Sequence, residues 1–318
     1  MNIGHRNAVR ALAHKKQHTF IRAFISQKYL LLMMVPGIVW LAVICYAPLG
    51  GIIIAFKNYN PGIGIWNSPW AGLRYFRELA ADKYFHLAVR NTLVISVLKL
   101  AVGFPVPIIF AILLNEVKVL GFKRTVQTAS YMPYFLSWAF VASFLITFLS
   151  DRGALNTALI KFGLIEKPLT YLGDKLRFIL VILLSDVWKG FGYGSIIYLA
   201  VITSIDPQLY EAAIIDGATR WQRISYITLP TLKPTVVILL ILSISGIVNA
   251  NFEQFFLLQN NLVMDWARVI NVYTYEIGFQ KGRFSYGTAV GLFMSLSSMI
   301  LLVLANAISR RTTGESIY

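Results

Sequence analysis

The sequence predicts an all-α integral membrane protein with six transmembrane helices. Three observations lead there. The 318-residue chain is 57% hydrophobic and only 14% charged, against about 45–50% and about 25% in soluble globular chains. Its mean hydropathy is +0.64. Six stretches are also long and apolar enough to cross a bilayer, each close to the ~20 residues that a spanning helix needs.

The first span covers about 29–56 and is uncharged from Tyr29 to Phe56. Arg6, Arg10, Lys15, Lys16, Arg22 and Lys28 precede it. The run is far longer than the apolar core of about 7–15 residues in a secretory signal, and no A-x-A site follows, so it is expected to remain as a helix. The second span, about 88–114, contains Lys99, and Pro105 and Pro107 should kink or interrupt it. The third, about 125–150, is uncharged, with Trp138 read as packing. The fourth, about 178–202, holds Asp186 and Lys189; the fifth, about 235–258, has Glu253 near its end; the sixth, about 286–308, is uncharged. No long soluble domain or internal repeat interrupts them.

Six spans return both termini to one side. With that side cytoplasmic, residues 1–28 form a basic N-terminal segment, 29–308 the membrane domain and 309–318 a short tail. The inside segments then carry fourteen Lys/Arg and the outside segments twelve. The bias is small, and the basic cluster before the first helix decides the orientation, because that helix usually dominates. The outer stretch 66–87 contains Trp66, Trp70, Tyr75, Phe76, Tyr84 and Phe85, which suit an interfacial belt or contact with a ligand.

Several function classes are excluded. The net charge of +15 is spread between apolar runs rather than clustered on a soluble face, so it points to an anionic lipid surface and not to nucleic acid. Cys45 is the sole cysteine, so neither an intrachain disulfide nor a Cys-based zinc site can form. His5, His14, His18 and His86 make no HExxH or other metal pattern. There is no GxxxxGK[ST] loop to cradle ATP phosphates and no GxSxG nucleophile. Neither a cofactor nor a metal is expected on this chain.

The cytoplasmic loop Ser204–Pro234 carries the most information. Asp206 can accept hydrogen bonds from free helix-end N–H groups, and Pro207 suits a first helical position, so a short helix is expected over about 207–215. Gly217 permits a turn without a Cβ penalty. A second short helix is expected from about Thr219 to Thr228, stopped by Pro230 and Pro234. Leu209, Ala212, Ala213 and Ile215 give the first helix an apolar surface, flanked by Glu211 and Asp216. Such a helix suits insertion into a groove on another protein.

Glu211-Ala212-Ala213, Asp216-Gly217-Ala218, Ile227 and Leu229-Pro230 closely resemble the EAA loop of binding-protein-dependent (MetI-like) ABC importer permeases. Arg90-Asn91-Thr92-Leu93, and Gly153-Ala154-Leu155-Asn156 with Gly163, are similar to segments of the maltose and glycerol-phosphate permease group. Trp188-Lys189, Ile197-Tyr198-Leu199-Ala200, Tyr210 before the EAA triad, and the run from Gly282 to Phe293 resemble the polysaccharide-type branch that holds the LplB and alginate-importer permeases. The ending Gly314-Glu315-Ser316-Ile317-Tyr318 has no counterpart in that likeness.

The resemblance implies a permease subunit of an ATP-driven carbohydrate importer in a bacterial cytoplasmic membrane. Its coupling helix would use Tyr210, Glu211, Ala212, Ala213, Asp216, Gly217, Leu229 and Pro230 to dock on an ATPase. The implied partners are a second, different but related permease, two ATPase subunits that use ATP and magnesium, an extracytoplasmic solute-binding protein and membrane lipid. An oligo- or polysaccharide, with uronate as one option, is the expected substrate. The alternatives are a peptide or phosphate-ester permease and an ion-coupled secondary transporter.

Ionisable residues inside a span are costly and face a cavity or a partner. Asp186 and Lys189 are spaced to share a helix face and pair, and the glycines at 190, 192 and 194 permit a bend or close helix packing. Trp188, Lys189 and Tyr193 are therefore either structural or part of the substrate path. Asn249, Asn251, Glu253 and Gln254 offer directional hydrogen bonds to a hydroxyl-rich ligand, or interhelical bonds instead.

Overall fold

The computed structural model describes residues 27–317. The basic segment expected over 1–28 therefore lies outside the described residues, except for its last two positions. The chain divides into two compact units between Trp70 and Ala71.

In the first unit, α1 spans Lys28–Phe56 and carries apolar side chains that are almost all exposed, as lipid contact requires. It is not uniform. The helix widens to a π turn at Leu41–Tyr46 and tightens to a 3₁₀ helix over Ala47–Phe56. Cys45 sits exposed in the wide turn. A short helix α2 (Gly64–Asn67) follows. The Lys57 ammonium donates to the Ile65 and Trp66 carbonyls, 2.9 Å each, which satisfies acceptors at that helix's C-terminus.

The second unit begins with α3 (Arg74–Ala81) and α4 (Lys83–Glu116). Asp82 caps α4 through the Tyr84 and Phe85 N–H groups. Helical bonding is interrupted at Phe104, just before Pro105, where a proline has no N–H to give. Next come α5 (Leu120–Phe135) and α6 (Trp138–Phe148), bent by 98° to each other. A single span over 125–150 was expected; the chain breaks instead. Pro133 closes the last turn of α5, Leu136 is extended, and Ser137 starts α6 by accepting from the Phe140 N–H.

After α7 (Ala154–Lys161) come α8 (Lys175–Thr203), α9 (Pro207–Ile215) and α10 (Arg220–Val248). Pro230 and Pro234 do not stop α10. A π turn over Ile224–Thr228 shifts the bonding register, with the Leu229 N–H reaching the Ile224 carbonyl, and Pro230 begins the next α-helical stretch where its missing N–H is least needed. The fifth span therefore starts earlier and ends earlier than 235–258. It stops at Val248, and Asn249–Asn251 lead into a separate helix α11 (Phe252–Leu258). The unit closes with α12 (Met264–Ala267), α13 (270–280) and α14 (Phe284–Thr312).

Among the described residues, five helices are long and apolar enough to cross a membrane (α1, α4, α8, α10 and α14), and the bent α5–α6 pair makes six. The core of the second unit gathers where α4, α6, α8 and α11 meet the 263–272 segment. Ile95, Phe178, Ile182, Phe255, Leu258 and Val272 are buried together there. A smaller cluster of Ala111, Tyr198, Ile202 and Leu232 joins α4, α8 and α10.

The motif residues quoted above tie connections to helix ends. The Asn91 amide, fully buried, donates to the Asp265 and Arg268 carbonyls (2.7 and 3.2 Å). Thr92 Oγ1 accepts from the Ile270 N–H at 2.8 Å. Asn156, also fully buried, donates to the Ser150 and Leu169 carbonyls and accepts from the Leu169 N–H. Tyr273 and Tyr286 both donate to Asp82 Oδ2, at 2.6 and 3.0 Å, which joins α13 and α14 to the start of α4.

Candidate functional site

Two regions carry the chemistry. The first is the α9 knuckle. Asp206 Oδ1 accepts from the Gln208 N–H at 2.9 Å, and Pro207 occupies the first turn. At the other end Gly217 has φ +78°. Its N–H reaches the Ile214 carbonyl (3.0 Å) and the Ala218 N–H reaches the Ala213 carbonyl (2.8 Å). This is a Schellman closure, which needs a left-handed residue after the helix. Thr219 and Gln222 form a reciprocal capping box that starts α10. The turn between the two helices is thus fixed at both ends by local bonds.

The knuckle presents an outward surface. Leu209, Ile214 and Ile215 are exposed, Ile215 by 86%, and no residue of α9 is buried. Glu211, Ala212, Asp216, Gly217, Leu229 and Pro230 are exposed as well, and Ala213 is half-buried. Tyr210 is half-buried, and its hydroxyl lies 2.9 Å from Thr228 Oγ1, which ties α9 to the start of α10. Trp221 and Tyr226 extend the exposed apolar surface beyond the triad. Sequence reading did not single them out, although aromatics close to the Glu211-Ala212-Ala213 triad were the available signal.

The second region is a cavity of about 900 Å³ among α4, α8 and the end of α10. Phe104, Phe191 and Tyr193 supply aromatic faces; Asn249 and Asn251 supply amides; Lys99 and Asp186 supply charge. Asp186 does not pair with Lys189. Lys99 Nζ, from α4, donates to Asp186 Oδ1 at 2.9 Å and to Gln254 Oε1 at 2.5 Å. Gln254 is fully buried and held by its amide, which donates to the Ile182 carbonyl and Ser185 Oγ.

Lys189 turns the other way, donating to the Pro133, Tyr134 and Leu136 carbonyls at 3.3, 2.6 and 2.6 Å. These carbonyls lie at the α5–α6 bend, where that of Pro133 also accepts from the Leu136 N–H at 3.2 Å, and carbonyls that lose helical donors in a membrane must find others within the protein. An ammonium has three N–H groups, and each meets one of these carbonyls. Tyr193 stacks on Tyr134, rings 3.9 Å apart and nearly parallel. Trp188 and Glu253 are exposed and do not line the cavity. Asn271 bonds Asn249 Oδ1 and the Ala250 carbonyl, fixing the break after α10.

A bundle of apolar, membrane-length helices around a partly polar cavity defines an integral membrane transport subunit. Residues 103–314 match the family described as binding-protein-dependent transport system inner membrane component, and the chain belongs to it. It is the permease subunit of an ATP-binding-cassette importer. The chain is 41% identical to the polygalacturonan/rhamnogalacturonan transport system permease protein YteP of Bacillus subtilis (strain 168), over 98% of this chain and 97% of that protein. It is 38% identical to protein LplB of the same organism, over 94% of each. A crystal structure of a bacterial ABC transporter involved in the import of the acidic polysaccharide alginate has a chain that superposes with a TM-score of 0.85. That chain is 37% identical, and the match covers 93% of this chain and 99% of that one.

Proposed function

We propose that this permease translocates a uronate-containing oligo- or polysaccharide into a bacterial cell. The reading rests on one observation above others: near-full-length identity of 41% with a permease for polygalacturonan/rhamnogalacturonan, alongside 37% with a chain of an alginate importer. With both termini cytoplasmic, the outer loops hold twelve basic against seven acidic residues, a balance that favours an anionic ligand. The 900 Å³ cavity, with aromatic faces, amides and a lysine, is the candidate section of the path. Tyr193, Asn249 and Asn251 line it. Gln254 holds its lysine. Lys189 satisfies carbonyls at the α5–α6 bend, and Trp188 and Glu253 lie outside the cavity.

In this reading a second, related permease completes the pathway, and an extracytoplasmic binding protein delivers the ligand. Two ATPase subunits, which use ATP and magnesium, grip the α9 knuckle. Their closure moves α9, and the Tyr210–Thr228 bond passes that movement to α10 and the bundle, a two-state coupling. The test is uptake of a labelled galacturonate oligomer by proteoliposomes holding the whole transporter, with ATPase rate read in parallel. Glu211→Ala with Gly217→Val should abolish transport and binding-protein-stimulated ATP hydrolysis while the complex still assembles. Unchanged transport in that double variant refutes the coupling role, and wild-type uptake of neutral oligosaccharides only refutes the substrate class.

A further inference from the structure

We infer that Lys99 is the carboxylate-recognition residue of the path, and that Asp186 stands in for the substrate's carboxylate while the path is empty. The inference rests on the uronate reading above and gives it a residue.

The geometry is that of an exchangeable pair. Lys99 and Asp186 are the charged residues in the lining of the cavity. An intramembrane lysine beside a cavity is a functional group by default, since its burial is costly. Its two acceptors differ. Gln254 is fully buried, and both hydrogens of its amide are taken by the Ile182 carbonyl and Ser185 Oγ, so its Oε1 is fixed toward Lys99. Asp186 lies at the cavity side, with 33% of its side chain exposed against 13% for Lys99. Among the described residues its ion pair is with Lys99 alone. Gln254 thus holds the ammonium in place, and Asp186 is the partner free to leave.

A uronate carboxylate presents the same two oxygens as Asp186, and charge-assisted bonds of this kind favour an anion over its ester. Phe104, Phe191 and Tyr193 supply apolar faces for sugar rings near that point. When the substrate carboxylate arrives, it takes the place of Asp186 on the ammonium, and Asp186 gives way. When the substrate leaves, Asp186 returns, so the lysine is never left as an unpaired buried charge, which would be strongly destabilising.

The test compares uptake of trigalacturonate with that of its methyl-esterified form in proteoliposomes holding the complete transporter. Lys99→Gln should lower the acid-to-ester uptake ratio about tenfold, while Lys99→Arg should keep it. Asp186→Asn removes the competing anion and should lower the KM for the acid relative to that for the ester. The Lys99→Gln/Asp186→Asn double variant leaves no unpaired charge, so it reports the ratio even where the single lysine variant fails to fold. A double variant with the wild-type ratio overturns the inference. So does one in which acid and ester uptake fall equally. Wild-type protein that carries neither acid nor ester defeats the substrate reading instead, a separate result.

Discussion

The α5–α8 contact yields a prediction with opposite signs at two neighbouring positions of one helix. Gly192 of α8 lies against the backbone of Ser130 in α5. A Cβ at position 192 would sit 2.0 Å from the Ser130 carbonyl oxygen and 2.4 Å from its carbonyl carbon. Backbone atoms cannot swing aside, so Gly192→Ala must push the helices apart by about 1 Å, and overpacking of this kind costs about 1–3 kcal/mol. Removing glycine from a helix interior returns about 0.5–1 kcal/mol, which leaves a net loss of up to about 2.5 kcal/mol. At Gly190 a Cβ would meet nothing within 4 Å, so Gly190→Ala keeps the propensity gain and should stabilise by about 0.5–1 kcal/mol. Thermal unfolding of the detergent-solubilised permease, followed by fluorescence-detected size exclusion, reads both. Gly192→Ala should melt below the wild type and Gly190→Ala at or above it. A Gly192→Ala protein as stable as Gly190→Ala refutes the close helix contact.

Two further predictions concern the ends of the helices. Burial raises the Asp82 carboxyl, but bonds from the Tyr273 and Tyr286 hydroxyls and from the Tyr84 and Phe85 N–H groups outweigh it and hold the group below its ordinary value. Its contribution to stability is therefore present above about pH 4 and lost as pH falls through the lowered value. Unfolding midpoints measured from pH 7 down to pH 3 should show an acid limb that Asp82→Asn flattens, at the expense of stability at pH 7. Asn156→Ala leaves the part-buried Leu169 N–H and two carbonyls without their partner, a loss of about 1–3 kcal/mol. Limited proteolysis should then cut the 150–170 segment faster, while Asn156→Asp retains only the acceptor half of the bonding and should fall between.

What was legible in the sequence was local. The α9 knuckle could be drawn from Asp206, Pro207 and Gly217 because its caps bond within a few residues, and the spans could be drawn because burial in lipid needs only a long apolar run. The charged interior could not. Lys99 and Asp186 lie 87 positions apart, while Lys189 sits three from Asp186 on the same helix, so spacing alone favoured the wrong pair. The deciding fact was the α5–α6 bend. Once the chain turns by 98° there, backbone carbonyls at the bend lose their α-helical donors, and in a bilayer only a protein group can replace them. Lys189 is drawn to that bend, and Asp186 is left to the lysine on α4. A proline near the middle of an apolar run, with a lysine at membrane depth on the following span, is thus better read as a break and its cap than as a straight helix beside an ion pair. By that logic the lysine available to a cavity in such a bundle is the one that has no broken backbone to satisfy. In this permease that lysine is Lys99, and it faces the cavity.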